Sequence, residues 1–159
     1  MRKIFVLFVL FVLCFDLLFG QILEGKVIGV MDGDTIKILA AGNKQFKIRL
    51  SDIDAPEKKQ AFGNRAKWFL SDLIYRKIVT VQFSKKDRYK RIIGRVYLDD
   101  IDVNKELVRQ GYAWVYRKYS KDRTLLRLEE YARSNRLGLW RDFDAVEPYI
   151  FRKNRRGGR

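Results

Sequence analysis

Lys26-Val27-Ile28-Gly29-Val30-Met31-Asp32-Gly33-Asp34-Thr35-Ile36-Lys37-Ile38-Leu39-Ala40, followed by Gln45-Phe46-Lys47-Ile48-Arg49-Leu50, is the stretch that decides the fold. Lys26–Val30 alternates weakly, Thr35–Ala40 alternates clearly, and Gln45–Leu50 puts Phe46, Ile48 and Leu50 on one face. Period two with β-branched residues predicts strands. Asp32-Gly33 is a turn signal between the first two, and Ala41-Gly42-Asn43-Lys44 is a turn between the second and third. The result is a three-stranded meander. Ser51–Lys59 then reads as a loop fixed by Pro56.

Beyond that loop the period changes. Ala66, Phe69, Leu70, Leu73 and Ile74 share one helical stripe, which predicts a helix from Asn64 to about Lys77. Ile78–Phe83 and Arg91–Leu98 read as a fourth and fifth strand flanking a charged loop, Ser84–Lys90. Val103–Gln110 reads as a short helix with Gly111 as its left-handed stop. Asp122–Asn135 reads as another helix with Leu125, Leu128 and Ala132 inward, ended by Gly138, behind which Leu139 and Trp140 pack. Five strands with a helix between the third and fourth is the order of an OB-fold barrel, here an α+β domain of about three helices. Residues 21–150 form that domain. Residues 151–159, basic and glycine-containing, read as a disordered tail.

The N-terminus has a different character. Arg2-Lys3 precedes an apolar run from Ile4 to Phe15, Asp16 interrupts, and Leu17-Leu18-Phe19-Gly20 follows. A basic start and a short apolar segment mark an export signal. A spanning helix needs about 20 apolar residues, so a membrane anchor is the alternative for residues 1–20. Either reading puts the domain outside the cytoplasmic membrane, as a secreted or periplasmic protein or a tethered one.

Composition narrows the chemistry. The chain has 159 residues and a formal charge of +15, of which Arg2, Lys3 and Asp16 contribute +1, leaving +14 for the rest. An excess of that size points to a polyanionic partner. There is no histidine, and the single cysteine is Cys14. Histidine triads, histidine general bases, thiolate nucleophiles and thiolate zinc sites are therefore excluded from the domain. Cleavage of a phosphodiester would have to run on carboxylates, arginines, a metal and water.

The residues for that chemistry lie around the meander. Asp32-Gly33-Asp34 opens the first turn. Arg49 leaves the apolar face of its strand, and the strand exits to Asp54-Ala55-Pro56-Glu57. Each alone has an ordinary reading: hairpin turn, surface arginine, N-cap, solvated acid. Together they place two carboxylates on adjacent loops, where they could share one hard cation that prefers oxygen ligands. Arginine supplies the bidentate clamp that a phosphate wants. The run Lys85–Arg91 adds a second cationic group, with Arg91 opening a strand.

These motifs resemble, in order and spacing, the staphylococcal nuclease family. The matching segments are Asp32–Thr35, Arg49-Leu50 with Asp54–Glu57, Asp87–Arg91, Val103–Gly111, and Trp140 in its Gly-Leu-Trp segment. The resemblance spans about Gly25 to Trp140. It implies an OB-fold and calcium-dependent hydrolysis of DNA and RNA by water attack, with low sequence specificity. It implies Asp34, Asp54 and the backbone carbonyl of Ala55 as ligands of Ca2+, and Asp32 as their outer-shell partner or as a turn former. It implies Glu57 as the residue that orients or deprotonates the attacking water, and Arg49 and Arg91 as phosphate clamps. Tyr89, Arg117 and Tyr119 are implied to bind the nucleotide. One departure is Lys90, where the family usually has glycine; if the position needs positive φ, lysine is strained there. Arg95, after Gly94, is a possible substitute for Arg91. No obligate protein partner is implied, and a monomer is the default. The alternative is a non-catalytic OB module that binds nucleic acid or an envelope polymer.

Overall fold

The computed structural model describes residues 21–157. The expected leader at 1–20, with Cys14, and the last two residues lie outside the described residues. Among the described residues no helix is long and apolar enough to cross a membrane.

The meander forms as its alternation predicts. Strand β1 (Gln21–Asp32) pairs antiparallel with β2 (Thr35–Ala40), which pairs with β3 (Lys44–Leu50). β1 is long enough to serve two partners. Its first half pairs with β5 (Ile78–Lys86), from Gln21↔Phe83 to Lys26↔Ile78, and its second half pairs with β2. Two register shifts in β1, after Val27 and after Val30, bend it between them. β5 pairs with β6 (Ile92–Leu98), and β6 closes on β3 in parallel register, Ile48↔Ile92 to Leu50↔Gly94. The outcome is a five-stranded closed mixed barrel, the OB-fold.

Side-chain alternation fills that barrel. In β6, Ile92, Gly94, Val96 and Leu98 point inward. They meet Val27, Ile36, Ile38, Ile48, Leu50, Val79 and Val81. Helix α1 (Gly63–Ile74) covers the barrel with Ala66, Leu70 and Ile74, all fully buried, on the stripe its sequence marks. A fully buried leucine is worth about 2–5 kcal/mol against alanine, so this lid is a large part of the fold's stability. The short β4 (Ile53–Asp54) leaves the barrel and pairs with β8 (Trp114–Val115).

The remaining helices pack on one side. β7 (Ile101–Asp102) leads into α2 (Val103–Arg109), capped by Asp102, whose carboxylate accepts from the Lys105 N–H at 3.0 Å. Gly111 then turns the chain at φ +71°, as a left-handed stop does. Asp122 caps α3 (Arg123–Ser134) by accepting from Thr124 N at 2.8 Å. Leu139 and Trp140 pack behind it. The C-terminus departs from expectation. The expected disordered tail is instead, as far as Gly157, the body of helix α4 (Pro148–Gly157). Pro148 supplies a favoured first helical residue, and Arg152 anchors the helix to the acid cluster described below.

Candidate active site

One end of the barrel carries a cleft of about 1130 Å3. The first turn builds its floor. Gly33 has no left-handed backbone; its role is close approach. A Cβ there would lie 2.7 Å from the Ala55 Cβ and 2.8 Å from the Ala66 Cβ. Glycine thus lets the turn sink between the 54–55 segment and α1, carrying Asp34 inward. Asp34 is 6% exposed and accepts a hydrogen bond from the Ala55 N–H at 2.8 Å. The Thr35 hydroxyl donates to its other oxygen at 3.2 Å. Asp32 accepts from the Asp34 N–H at 3.1 Å, fixing the turn.

Asp54 reaches the same place from β4. It is 2% exposed. Arg49, on the outer face of β3, lies between the two acids. Its Nη2 is 3.0 Å from Asp34 Oδ2 and 3.0 Å from Asp54 Oδ1. Its Nη1 donates to the carbonyls of Leu50 at 2.8 Å and Ile53 at 3.0 Å. Burial pushes the Asp34 carboxyl up to about 7; Arg49 pulls the other way, and the charges of Asp32 and Asp54 add to the rise. Arg49 alone thus does not offset the cost of burying the Asp34 charge.

Arg91 stands at the start of β6 and lines the same cleft. Asp87 holds it: Arg91 Nε is 2.7 Å from Asp87 Oδ2, and the Arg91 N–H donates to Asp87 Oδ1 at 3.0 Å. Burial works against the Asp87 charge, but the bonds from Arg91 and Tyr89 outweigh it and hold the carboxyl below its ordinary value. Tyr89 lies under the guanidinium of Arg91, 5.5 Å from its ring centre, and under that of Arg88, at 4.8 Å. Lys90 has φ +61°. The position does adopt the left-handed conformation that glycine takes without strain, and lysine accepts it.

Other expected residues divide. Glu57, Tyr89 and Tyr119 line the cleft, as do Asp32 and Ala55. Arg117 does not. It turns to Glu129, and Tyr116 faces the cleft in its place, edge-on to Tyr119 with ring centres 4.8 Å apart. Glu129 is fully buried and also accepts from the Val115 N–H at 3.0 Å, so it ties β8, and through it Asp54, to α3. Arg95 lines the cleft but is committed to Asp52 at 3.4 Å and Asp122 at 2.5 Å. It braces two loops and is not free to replace Arg91.

A residue outside the expected set completes the site. Arg152 of α4 donates from Nη2 to Asp54 Oδ2 at 2.7 Å and from Nη1 to Glu57 Oε1 at 2.8 Å and Asp54 Oδ1 at 3.1 Å. Burial acts against its charge, and these bonds more than offset it, holding the guanidinium above its ordinary value. The available signal was Pro148 followed by the apolar Tyr149-Ile150-Phe151, a helix start that the basic composition masks.

A family profile described as staphylococcal nuclease homologue matches residues 47–142. The chain belongs to the staphylococcal nuclease family. Within it, the chain is 44% identical over 153 residues to an uncharacterized endonuclease of Escherichia coli, covering 96% of this chain and 98% of that one. It is 45% identical over 128 residues to an uncharacterized endonuclease of Haemophilus influenzae, covering 80% and 72%. It is 43% identical over 142 residues to the micrococcal nuclease of Shigella flexneri, covering 82% and 80%. The profile match holds Arg49, Asp54, Glu57 and Arg91 inside one family segment, and Asp34 joins them through Arg49.

The family implies a calcium ion. The donor set fits a hard cation: two buried carboxylates, both oxygen donors, converge on one guanidinium nitrogen, where a cation could take that place. Among the described residues no three acid side chains are grouped closely enough to cage a metal by themselves. A cation held here would take its other ligands from backbone, water or substrate oxygen.

Proposed function

We propose that this chain is a calcium-dependent nuclease that hydrolyses DNA and RNA phosphodiesters with little sequence preference. The observation that carries the proposal is the meeting of Asp34 and Asp54 on Arg49, in a cleft that Glu57 and Arg91 also line. Membership in a nuclease family supports the reaction class. The resemblance supports calcium, which Asp34, Asp54 and the Ala55 carbonyl would hold. Bound there, the ion supplies positive charge that lowers the cost of forming a five-coordinate, dianionic phosphorus.

The chain's own residues do the rest. Arg91 offers its terminal N–H donors to phosphate oxygens, and Arg49 would offer its Nη2 once a cation draws Asp34 and Asp54 from it; both bind the transition state better than the ground state because its charge is greater. Glu57, 38% exposed at the cleft, would accept the proton of the attacking water. The water oxygen then bonds to phosphorus as the bond from phosphorus to one sugar oxygen breaks, and the departing sugar oxygen takes a proton from solvent. Tyr116, Tyr119 and Tyr89 present faces on which bases or riboses stack, and stacking is tolerant of sequence. The +14 excess supplies affinity through the backbone, with strong dependence on salt.

The test is cleavage of supercoiled plasmid and of a structured RNA by full-length protein, with calcium, with magnesium, and with chelator. Nicking in calcium that chelator abolishes and Glu57→Gln lowers by about 10²-fold or more supports the proposal. Retained DNA binding with no cleavage in any metal hands the chain to the binding-module alternative.

A further inference from the structure

Arg152 occupies the oxygens that the proposed function needs. It bonds both oxygens of Asp54 and one of Glu57, while Arg49 shares Asp54 Oδ1. Every carboxylate oxygen of Asp54 therefore already carries a guanidinium donor. Oδ1 already carries two guanidinium donors and Oδ2 one, so a divalent cation binding these oxygens would meet the positive charge of Arg152 at contact, and the two compete for the same acid.

The helix that delivers Arg152 is lightly attached. Of the ten residues of α4, only Pro148 is buried. Phe151 lies beside Phe62 and Trp114 at the wall of a small apolar cavity of about 220 Å3, and Gln60 holds the Val146 carbonyl just before the helix at 2.5 Å. Among the described residues, the ion pairs of α4 are those of Arg152 alone. The acids are thus the charged anchor of the helix, beside the apolar seat of Pro148 and Phe151.

We propose that Arg152 is a built-in competitor for the cation: a latch on α4 that closes the Asp54 and Glu57 face in the free protein and lifts when cation enters. This rests on the calcium-dependent reading above. The apparent affinity for the cation is then reduced by the fraction of molecules in which the latch is open. Once lifted, Arg152 stands at the rim of the cleft with Arg156, where phosphate oxygens offer it a new acceptor. Cation and substrate then both favour the open state, each raising the affinity for the other.

The experiment is calorimetric titration of Ca2+ into the full-length protein without nucleic acid, alongside Arg152→Gln and Arg156→Gln. Arg156 is the control, because it removes the same charge from the same helix and cleft while leaving the latch contacts in place. Arg152→Gln is expected to tighten the apparent Kd about tenfold, and Arg156→Gln less than about twofold. Equal or weaker binding by Arg152→Gln, or equal tightening by both variants, overturns the latch. The two proposals fail differently. If wild type and Arg152→Gln bind calcium equally and plasmid is still cut in calcium, only the latch falls. If neither binds calcium and cleavage ignores chelator, the calcium reading falls and takes the latch with it.

Discussion

Arg49 and Arg152 grip the same carboxylate from very different places. Arg49 lies five residues from Asp54, on a barrel strand, with its side chain 14% exposed. Arg152 lies 98 residues away, on a surface helix, with its side chain 28% exposed. Arg49 also donates to two backbone carbonyls, so part of its hold is independent of any acid. The polar partners of Arg152 at the site are Asp54 and Glu57, with the Tyr116 hydroxyl beside them. A guanidinium fixed by backbone keeps its place when the acids take a metal. One held chiefly by those acids does not. The first is part of the frame of the site and the second is removable.

The sharpest way to break this comparison is to remove each arginine and measure unfolding in urea. Arg49→Ala leaves two buried carboxylates without their shared cation and two carbonyls without donors. Breaking a buried pair in this way costs about 3–5 kcal/mol. Arg152→Gln leaves Asp54 with Arg49 and opens a solvated rim, so its cost is within about 1 kcal/mol. Equal losses would mean that the helix is as much a part of the frame as the strand.

The next effect is one of pH. The Asp34 carboxyl titrates near 7 when folded, above its ordinary value of 3.8. Between those two values the folded protein holds a proton that the unfolded chain has lost. Stability from this group is therefore full below about pH 4 and declines as pH rises toward 7. Asp34→Asn should flatten that decline in metal-free buffer, and saturating calcium should flatten it in the wild type. A decline of unchanged slope in Asp34→Asn would remove Asp34 as its source and weaken the picture of a buried acid whose charge Arg49 does not fully offset.

What the sequence revealed, and what it hid, follows the same division between local and distant. The meander, α1 and the pairing of Asp34 with Asp54 were legible because period and turn chemistry are local. Arg49 was legible because the alternation of β3 puts it on the face opposite Ile48 and Leu50, between Asp34 and Asp54 in the chain. Tyr116 and Arg117 were exchanged because β8 is two residues long, and in so short a strand only the pairing Asp54↔Trp114 fixes which side faces the cleft. Glu129 looked like one more charge on a solvated helix, since nothing nearby in sequence says that the Val115 N–H and Arg117 meet it. Arg152 was hidden for the same reason: its partners lie at the other end of the domain.

Arg91 stands between the two extremes, and Asp87 is what holds it. Asp87→Asn keeps the oxygen that accepts from the Tyr89 and Arg91 N–H groups but removes the charge facing Arg91 Nε. Bonds to charged groups are worth about 1.5–3 kcal/mol when well shielded. This pair is partly exposed, so the expected loss is about tenfold in kcat/KM for plasmid cleavage, with the fold intact. No loss would show that substrate, and not the loop, positions Arg91.

The smallest effect concerns the backbone that presents Arg91. Lys90 is exposed and sits at φ +61°, a conformation that costs a non-glycine residue about 1–2 kcal/mol. Glycine removes that strain but adds freedom to the unfolded chain, worth about 0.5–1 kcal/mol in the other direction. Lys90→Gly should therefore stabilise the protein by about 0.5–1 kcal/mol in urea unfolding, while the Asp87 bonds keep Arg91 in place and cleavage stays within about twofold. Should stability rise while cleavage drops sharply, the strained lysine would be acting on the arginine beside it, and Arg91 would belong with Arg152 among the side chains whose place depends on more than their own anchor.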